Sequence, residues 1–240
     1  MFGYDEAVTR RFPTIRAGVV HATSLDNGPT PDGLQEQYGN EQRAVGERLS
    51  GTAIAEVPSI AAWRRVFSAF GAKPTQYRCA AEALLRRLAK HGDIPSISTL
   101  VDVGNLVSIR YAMPVAVFDR VTVGGPMTVR FATGEERFTD LGSSGTVHPE
   151  PGEVVFVDDD SVVSARRWCW RQSAHSATGP GTSEALIVVE GHHDTAAEDV
   201  KAAVDDLSAL LAAHQPGSSL EGYLLSPAVP SVSSDGGLSG

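Results

Sequence analysis

Two segments in the first half of the chain place apolar residues at helical spacing and polar residues on the opposite side. In 59–70 the apolar face carries Ile60, Trp63, Phe67 and Phe70, and Gly71 follows as a stop signal. In 79–90 one face is apolar, with Ala81, Leu84, Leu85 and Leu88, and the other is basic, with Arg86, Arg87 and Lys90. Both segments are predicted to be amphipathic helices that pack on a core.

Capping patterns indicate two more helices. Thr99 and Asp102 form a capping-box-like start, and the helix that they open must end before Pro114. Thr195 and Glu198 form a capping box ahead of a helix over 196–214, whose apolar stripe is Val200, Val204, Leu207 and Leu211. A helix over 34–49 is predicted less strongly, because two glycines lower its propensity.

After Pro114 the pattern changes to short runs rich in β-forming residues. Strands are predicted at 14–22, 114–118, 127–132, 136–139, 153–158, 161–166 and 184–190. The run Asp158–Ser161 is interpreted as a hairpin turn in preference to a metal site. Helices mainly in the first half and strands mainly in the second indicate an α+β fold, with a largely antiparallel or mixed sheet flanked by helices.

The composition divides the chain at about residue 215. Pro, Gly and Ser supply 15 of the 25 residues in 216–240, which is typical of a linker or tail. We therefore expect a single domain over 1–214 and a C-terminal tail over 215–240 that ends in a mobile Ser/Gly stretch. Within that tail, residues 223–225 are apolar enough to dock on the body.

The overall composition is that of a water-soluble globular protein. Hydrophobic residues make up 42% of the 240, and no apolar run approaches the roughly 18 residues of a membrane span. The chain starts with acidic residues where a secretory signal would carry bases, so we expect a cytoplasmic protein. Cys79 and Cys169 are too few for a disulfide framework and are expected to be structural thiols.

Charge is distributed unevenly around a net of −9. Residues 1–92 carry +3, whereas 93–190 and 191–240 each carry −6. A polyanionic partner is therefore expected to meet the N-terminal half, although basic residues on solvated helix faces would look the same. The candidate residues for binding such a polyanion are Arg64, Arg65, Arg86, Arg87 and Lys90 in that half, together with Arg166 and Arg167.

No standard hydrolase or phosphate-loop signature is present in the sequence. His192, His193 and Asp194 are adjacent in the sequence. Neighbouring side chains in an extended segment point in opposite directions, so the two histidines cannot easily bind the same metal ion. We expect no metal and no cofactor.

The segment 99–119 carries the strongest motif. It contains Val101-Asp102-Val103-Gly104-Asn105, then Pro114, then Val115-Ala116-Val117-Phe118-Asp119. This segment resembles the tRNA-binding and editing domain of the phenylalanyl-tRNA synthetase β subunit, called the B-three/four domain, with its V-D-x-T-N, Pro and H-A-F-D pattern. Ordered matches on both sides extend the resemblance over about residues 12–192. Free-standing versions of the domain are the more similar ones, since their R-R-W-x-x-R-Q-S pattern occurs at 166–173.

The resemblance implies a fold like that editing domain and hydrolysis of an amino acid wrongly esterified to the 3′ end of a tRNA. The family's Asn and Glu correspond to Asn105 and Glu190, whereas its His falls on Ala116 and its Thr on Gly104. The candidate catalytic residues are Asn105, Glu190 and Arg171, and the candidate substrate-binding residues are Gly104, Pro114, Ala116, Gln172 and Ser173.

Each candidate catalytic residue has a structural alternative. Asn105 would donate to the ester carbonyl or orient a water, or it only links helix turns. Glu190 would accept a proton or bind the substrate ammonium, or it only ends a strand at the surface. Arg171 would meet a phosphate or the oxyanion, or it pairs with Asp102 or Glu190 as structure.

Three functions follow as hypotheses. The first is a deacylase that edits mischarged tRNA in trans, with tRNA as partner and no aminoacylation of its own. The second is a non-catalytic RNA-binding module that kept the fold, which Ala116 and Gly104 favour. The third is an unrelated small-molecule-binding role.

Overall fold

The helices of the computed structural model, which describes residues 1–233 and the backbone of 238–239, account for most of the first half of the chain. They are α1 (Glu6–Arg11), α2 (Asp32–Arg48), α3 (Pro58–Ala69), α4 (Ala80–His91), α5 (Thr99–Tyr111) and α6 (Ala196–His214). The helices predicted at 34–49, 59–70, 79–90, from 99 and over 196–214 are therefore confirmed to within two residues. Gly92 ends α4 in the left-handed conformation, with φ of 78°.

A four-stranded antiparallel sheet forms the centre of the molecule. Its strands are β2 (Arg16–Thr23), β3 (Val115–Asp119), β10 (Glu184–Gly191) and β11 (Ser219–Leu225), in the order β11-β2-β10-β3. Helix α6 packs on β2 at Gly18, where an added Cβ would lie 2.2 Å from Val204 Cγ2. Glycine is therefore required there for the close approach of helix and sheet.

A larger mixed sheet lies beside the first. It has the order β13-β12-β1-β4-β7-β8-β9, and the pair β1–β4 is parallel while the others are antiparallel. Its strands are β1 (Phe2–Tyr4), β4 (Met127–Phe131), β7 (Val154–Val157), β8 (Val163–Arg166), β9 (Arg171–Gln172), β12 (Ser231–Val232) and β13 (Leu238–Ser239). Two short strands, β5 (Phe138–Thr139) and β6 (Thr146–Val147), pair separately.

An aromatic cluster joins the helices to both sheets. Trp63 of α3 and Trp168, which follows β8, are fully buried, and their ring centroids lie 5.3 Å apart with perpendicular planes. Phe12 packs edge-on against Trp168 at 5.2 Å. Such edge-to-face pairs add to the stabilisation from burial alone. Sheets flanked by helices confirm the predicted α+β fold.

The region predicted to be a tail is largely paired into the two sheets. Residues 219–225 form β11, which pairs with β2 from Thr23 to Ala17, and 231–232 pair with β1. The tail expectation is corrected for β11 and β12, because their backbones pair into the sheets and Leu225 is buried in the core. Residues 234–237 and 240 of the expected mobile end lie outside the described residues.

Both predicted capping boxes were wrong in detail. Asp102 accepts from the Ile97 backbone N–H at 3.0 Å and from the Thr30 hydroxyl at 2.6 Å, so it fixes the chain ahead of α5. Thr195 donates to Asp199, not Glu198, at 2.7 Å. The predicted hairpin turn is confirmed, since the Asp158 carboxylate accepts from the Asp160 and Val162 N–H groups between β7 and β8.

None of the helices in the described part of the chain is long and apolar enough to cross a membrane.

Candidate functional site

The turn between α5 and β3 places the motif residues against the central sheet. Ala112 ends α5 with φ of 52°, and the Ser108 hydroxyl donates to the Met113 carbonyl at 2.7 Å, which reverses the chain into β3. Gly104 then faces β3 so closely that an added Cβ would lie 2.8 Å from Val117 Cγ2. The glycine at this position is thus explained by helix–strand packing.

A groove of about 240 Å³ opens beside this contact. Its walls are mostly apolar, and the polar side chains that line it are Asn105, Gln172 and Thr178. Burial raises the pKa of the Tyr38 hydroxyl, and the Asn105 side chain offsets part of that rise. The remaining lining residues are Ile97, Val101, Gly104, Val115, Val117, Leu141 and Ala177.

Glu190 is a buried carboxyl near the end of β10. The Tyr4 hydroxyl donates to its Oε1 at 2.6 Å, and Trp168 Nε1 donates to the same oxygen at 2.8 Å. Burial raises the pKa of Glu190 to about 7, although these two hydrogen bonds favour the ionised form. Because both donors end on Oε1, Oε2 is the oxygen left for an incoming group. The alternative of a surface carboxylate at a strand end is therefore wrong.

A second, smaller cavity of about 70 Å³ is lined by Glu190. It has room for a few water molecules but not for an amino acid and its ester. Val115 and Gln172 line this cavity as well as the groove, so the two spaces adjoin. Its other walls are Ala80, Pro114, Ala116, Ala165, Cys169, Trp170 and Arg171.

Gln172 holds the shared wall in place. Its Nε2 donates to the Val117 carbonyl at 2.7 Å and to the Ser176 carbonyl at 3.1 Å, which fastens the edge of β3. Ser173, by contrast, lines neither cavity. Its hydroxyl donates to the Thr139 carbonyl at 3.1 Å, and the residue is fully buried. Gln172 therefore lies at the candidate site, whereas Ser173 lies in the packing behind it.

Arg171 lies at the rim of the small cavity, half exposed. It pairs with Asp140 at 2.7 Å, and its guanidinium carbon lies 4.9 Å from the centre of the Trp170 ring. The expected alternative of pairing with Asp102 or Glu190 was wrong, because Asp102 is engaged ahead of α5 and Glu190 by Tyr4 and Trp168. The Asp140 pair orients the guanidinium over the ring.

Most of the candidate tRNA-binding arginines are held by buried carboxylates. Arg64 and Arg86 both reach Glu82 Oε1 at 2.8 Å and so tie α3 to α4. Arg166 and Arg167 both pair with Glu153, at 2.7 and 2.8 Å. Of the seven candidates, Arg65, Arg87 and Lys90 are exposed and make no ion pair within residues 1–233.

The side chains of the adjacent His192 and His193 contact different parts of the structure. His192 is buried against the Trp63 and Trp168 rings, and its burial lowers its pKa to about 3. His193 bonds to Asp199 through Nε2 at 2.8 Å. Within the described residues, no three His, Cys, Asp or Glu side chains are grouped as metal ligands would be.

Sequence reasoning missed the two donors to Glu190. Tyr4 is 186 residues away along the chain, and no local pattern connects the two. Trp168 stands inside the R-R-W-x-x-R-Q-S stretch, so its indole N–H was available as a signal but had no assigned role.

Parts of the chain are similar to known proteins. A family model described as the B3/4 domain matches residues 62–213. A 90-residue stretch, 37% of this chain, is 29% identical to part of the phenylalanine–tRNA ligase beta subunit of Shewanella oneidensis, and it spans 11% of that protein. A solved structure, an N-terminal fragment of the phenylalanyl-tRNA synthetase beta subunit from Pyrococcus horikoshii, aligns with 92% of this chain and half of its own, with a TM-score of 0.49 and 12% identity.

Proposed function

The chain belongs to the B3/4 domain family, and on that premise we propose that it binds tRNA and hydrolyses mischarged aminoacyl-tRNA in trans. The observation that carries the proposal is the convergence of the motif residues on two adjoining cavities. Gly104 and Asn105 line the groove, while Pro114, Ala116 and Glu190 line the small cavity. These residues come from α5, β3 and β10, so only the folded chain brings them together.

An aminoacyl ester is already activated, so the site needs only to position a water and to stabilise a developing oxyanion. The apolar groove takes the aminoacyl group, and the Asn105 amide donates to the ester carbonyl. The small cavity holds the attacking water beside Glu190 Oε2. Glu190 accepts a proton from that water as the water oxygen bonds to the ester carbonyl carbon. It returns the proton to the 3′ oxygen as the C–O bond to the ribose breaks, and the free amino acid and the tRNA 3′ hydroxyl leave.

Glu190 is suited to this role by its protonation equilibrium. A general base works best when its pKa lies near the working pH, and burial raises the pKa of Glu190 to about 7. Of the described residues that line either cavity, the other titratable ones are Cys169 and Arg171. Burial raises the pKa of the Cys169 thiol well above its usual range, so this thiol stays protonated.

A non-catalytic RNA-binding module is the second candidate, and Ala116 is the observation that favours it. Ala116 stands where the resemblance has a His, and it offers the small cavity a methyl group in place of a polar contact. Such a module would keep the exposed cations Arg65, Arg87 and Lys90 and lose turnover.

A panel of mischarged tRNAs separates the two candidates. The protein is added in excess, tRNA binding is measured by filter retention, and release of the labelled amino acid is followed in the same samples. Deacylation predicts release from at least one member of the panel. Binding without release at any protein concentration would reject deacylation and support the non-catalytic RNA-binding module.

A further inference from the structure

Two aromatic rings and two guanidinium groups form a ladder along the wall between the Glu190 cavity and a neighbouring cleft. The Arg167 guanidinium carbon lies 4.0 Å from the centre of the Tyr77 ring and 4.9 Å from that of Trp170. Arg171 lies 4.9 Å from the Trp170 ring, which is therefore flanked by both guanidinium groups. We name these four residues, Tyr77, Arg167, Trp170 and Arg171, the stacking ladder.

The ladder faces two concave surfaces. Trp170 and Arg171 line the small cavity that contains Glu190. Tyr77 and Arg167 line a cleft of about 460 Å³ on the other side, together with Arg11 and Gly71. A chain that crosses from the cleft to the cavity therefore passes along the ladder.

The ladder has an open end at Arg171. Of its side-chain surface, 47% is exposed, and its carboxylate partner Asp140 holds the guanidinium in one orientation. A guanidinium plane that rests on an indole leaves its other face free for a further flat group. Nucleobases stack on guanidinium planes and on aromatic rings in this way.

The charge of the ladder suits an anionic chain. Arg166 and Arg167 share one carboxylate, Glu153, so this group keeps one net positive charge at the cleft. Arg11 adds a second cation to the cleft wall, while Glu150 opposes it. Polar and cationic groups beside stackable planes are the features that bind single strands of nucleic acid.

Backbone strain marks the same turn. Arg167 and Trp168 adopt φ of 44° and 60°, in the left-handed region that bulky residues rarely occupy. Strained conformations persist only where the surroundings fix them, and here Glu153 holds Arg167 while Glu190 and the Val154 carbonyl hold Trp168. The strained turn sends Trp168 inward to Glu190 and Arg167 outward to Tyr77.

We infer that the stacking ladder binds the unpaired 3′ end of an RNA, with the terminal base stacked on Arg171 and the preceding phosphates beside Arg167. This inference rests on the proposed function, because it supplies the path by which the 3′ end reaches the rim of the small cavity. Unlike the proposed hydrolysis, binding of the RNA by the ladder requires no acyl group on the RNA.

The test uses the full chain and a five-nucleotide RNA that carries no aminoacyl group. The RNA has a 3′ adenosine and a 5′ fluorescent label. Arg171→Lys keeps the charge and the Asp140 partner but removes the plane, so the Kd rises at least about fivefold with an unchanged salt dependence. Trp170→Leu has an effect of the same size. The matched control, Arg10→Lys, alters an exposed arginine that pairs with Glu6 and should stay within about twofold.

A second measurement needs no variant. The wild-type chain is titrated with an oligomer of equal length that carries ribose and phosphate but no bases, and the inference predicts binding at least about tenfold weaker than that of the RNA. Equal binding of the two oligomers would overturn the inference and show that charge accounts for the binding without base stacking. An unchanged Kd for a folded Arg171→Lys protein would overturn it too, whereas a lack of deacylation in the mischarged panel would sink only the proposed function.

Discussion

The hydroxyl of Tyr4 donates to Oε1 of Glu190 at 2.6 Å, a contact between residues 186 positions apart. Tyr4 belongs to β1 of the larger sheet and Glu190 to β10 of the central sheet. The bond therefore links the two sheets at the carboxyl group to which we assign proton transfer. It also makes the first residues of the chain part of the site.

Replacing Tyr4 with Phe removes one of the two donors that favour ionised Glu190. The pKa of Glu190 should rise above about 7, and the pH at which deacylation is half-maximal should move upward with it. The pKa of Glu190 is raised relative to its ordinary 4.5, so its contribution to stability is complete below about pH 4.5 and declines as the pH rises through 7.

In the Tyr4→Phe variant, the contribution of Glu190 to stability should decline over a range that extends to higher pH. The loss of unfolding free energy should grow from pH 5 to pH 8, to about 1–3 kcal/mol, because a hydrogen bond to a charged group is lost. Urea unfolding at both pH values checks this. A loss that is equal at pH 5 and pH 8 would show that the hydroxyl does not sense the ionisation of Glu190.

Asn105→Ala should reduce deacylation at least about tenfold while tRNA affinity stays within about threefold. Removing one donor aimed at a developing oxyanion typically costs about 3 kcal/mol, or about a hundredfold in rate. Single-turnover release and filter binding measure the two quantities on the same preparation. A loss of affinity with intact turnover would make Asn105 a binding residue.

Gly104→Thr, which restores the residue of the resembling family, should destabilise the fold by about 1–3 kcal/mol, since the new Cβ would lie 2.8 Å from Val117 Cγ2. Adding Val117→Ala should recover most of that loss by removing the opposing methyl groups. Thermal unfolding of the single and double variants tests the contact. No rescue by the second substitution would mean that the glycine serves something other than this packing.

The exposed cations of α4 give a test of the RNA path. Arg87→Glu with Lys90→Glu should weaken tRNA binding and lower the salt slope by about two units, because each phosphate contact contributes about 0.7–0.9. Neither residue has an ion-pair partner in the described part of the chain, whereas Arg86 is held by Glu82. Hydrolysis of a minimal aminoacyl-adenosine should be nearly unchanged. An unchanged affinity and slope would place the RNA elsewhere.

The helices and the antiparallel character of the sheets could be predicted because they are set by local periodicity. The bounds of α6 match the expected 196–214 because its apolar stripe is uninterrupted. β11 was missed because it lies within the Pro/Gly/Ser-rich segment 216–240, and only its pairing with β2 makes it a strand. Turn-forming residues do not exclude a strand when a long partner edge is available.

Only part of the candidate site could be predicted, because the rest depends on contacts between residues that are distant in the sequence. Asn105, Pro114 and Glu190 follow from a linear motif, and the fold places all three at the cavities. The role of Arg64 and Arg86 in binding Glu82 could not be read from the sequence, because charge patterns do not show which cations are already paired. Of the seven candidate RNA-binding cations, the structure leaves Arg65, Arg87 and Lys90 most available.

The most direct test of the account is single-turnover release of the amino acid from mischarged tRNA by the wild-type chain and by Glu190→Gln, between pH 5.5 and 8.5. We predict that wild-type release rises with pH and levels off above about 7, as Glu190 ionises, and that Glu190→Gln is at least about a hundredfold slower without this pH dependence. Release at the same rate and with the same pH profile in both proteins, or no release by either above the uncatalysed rate, would contradict it.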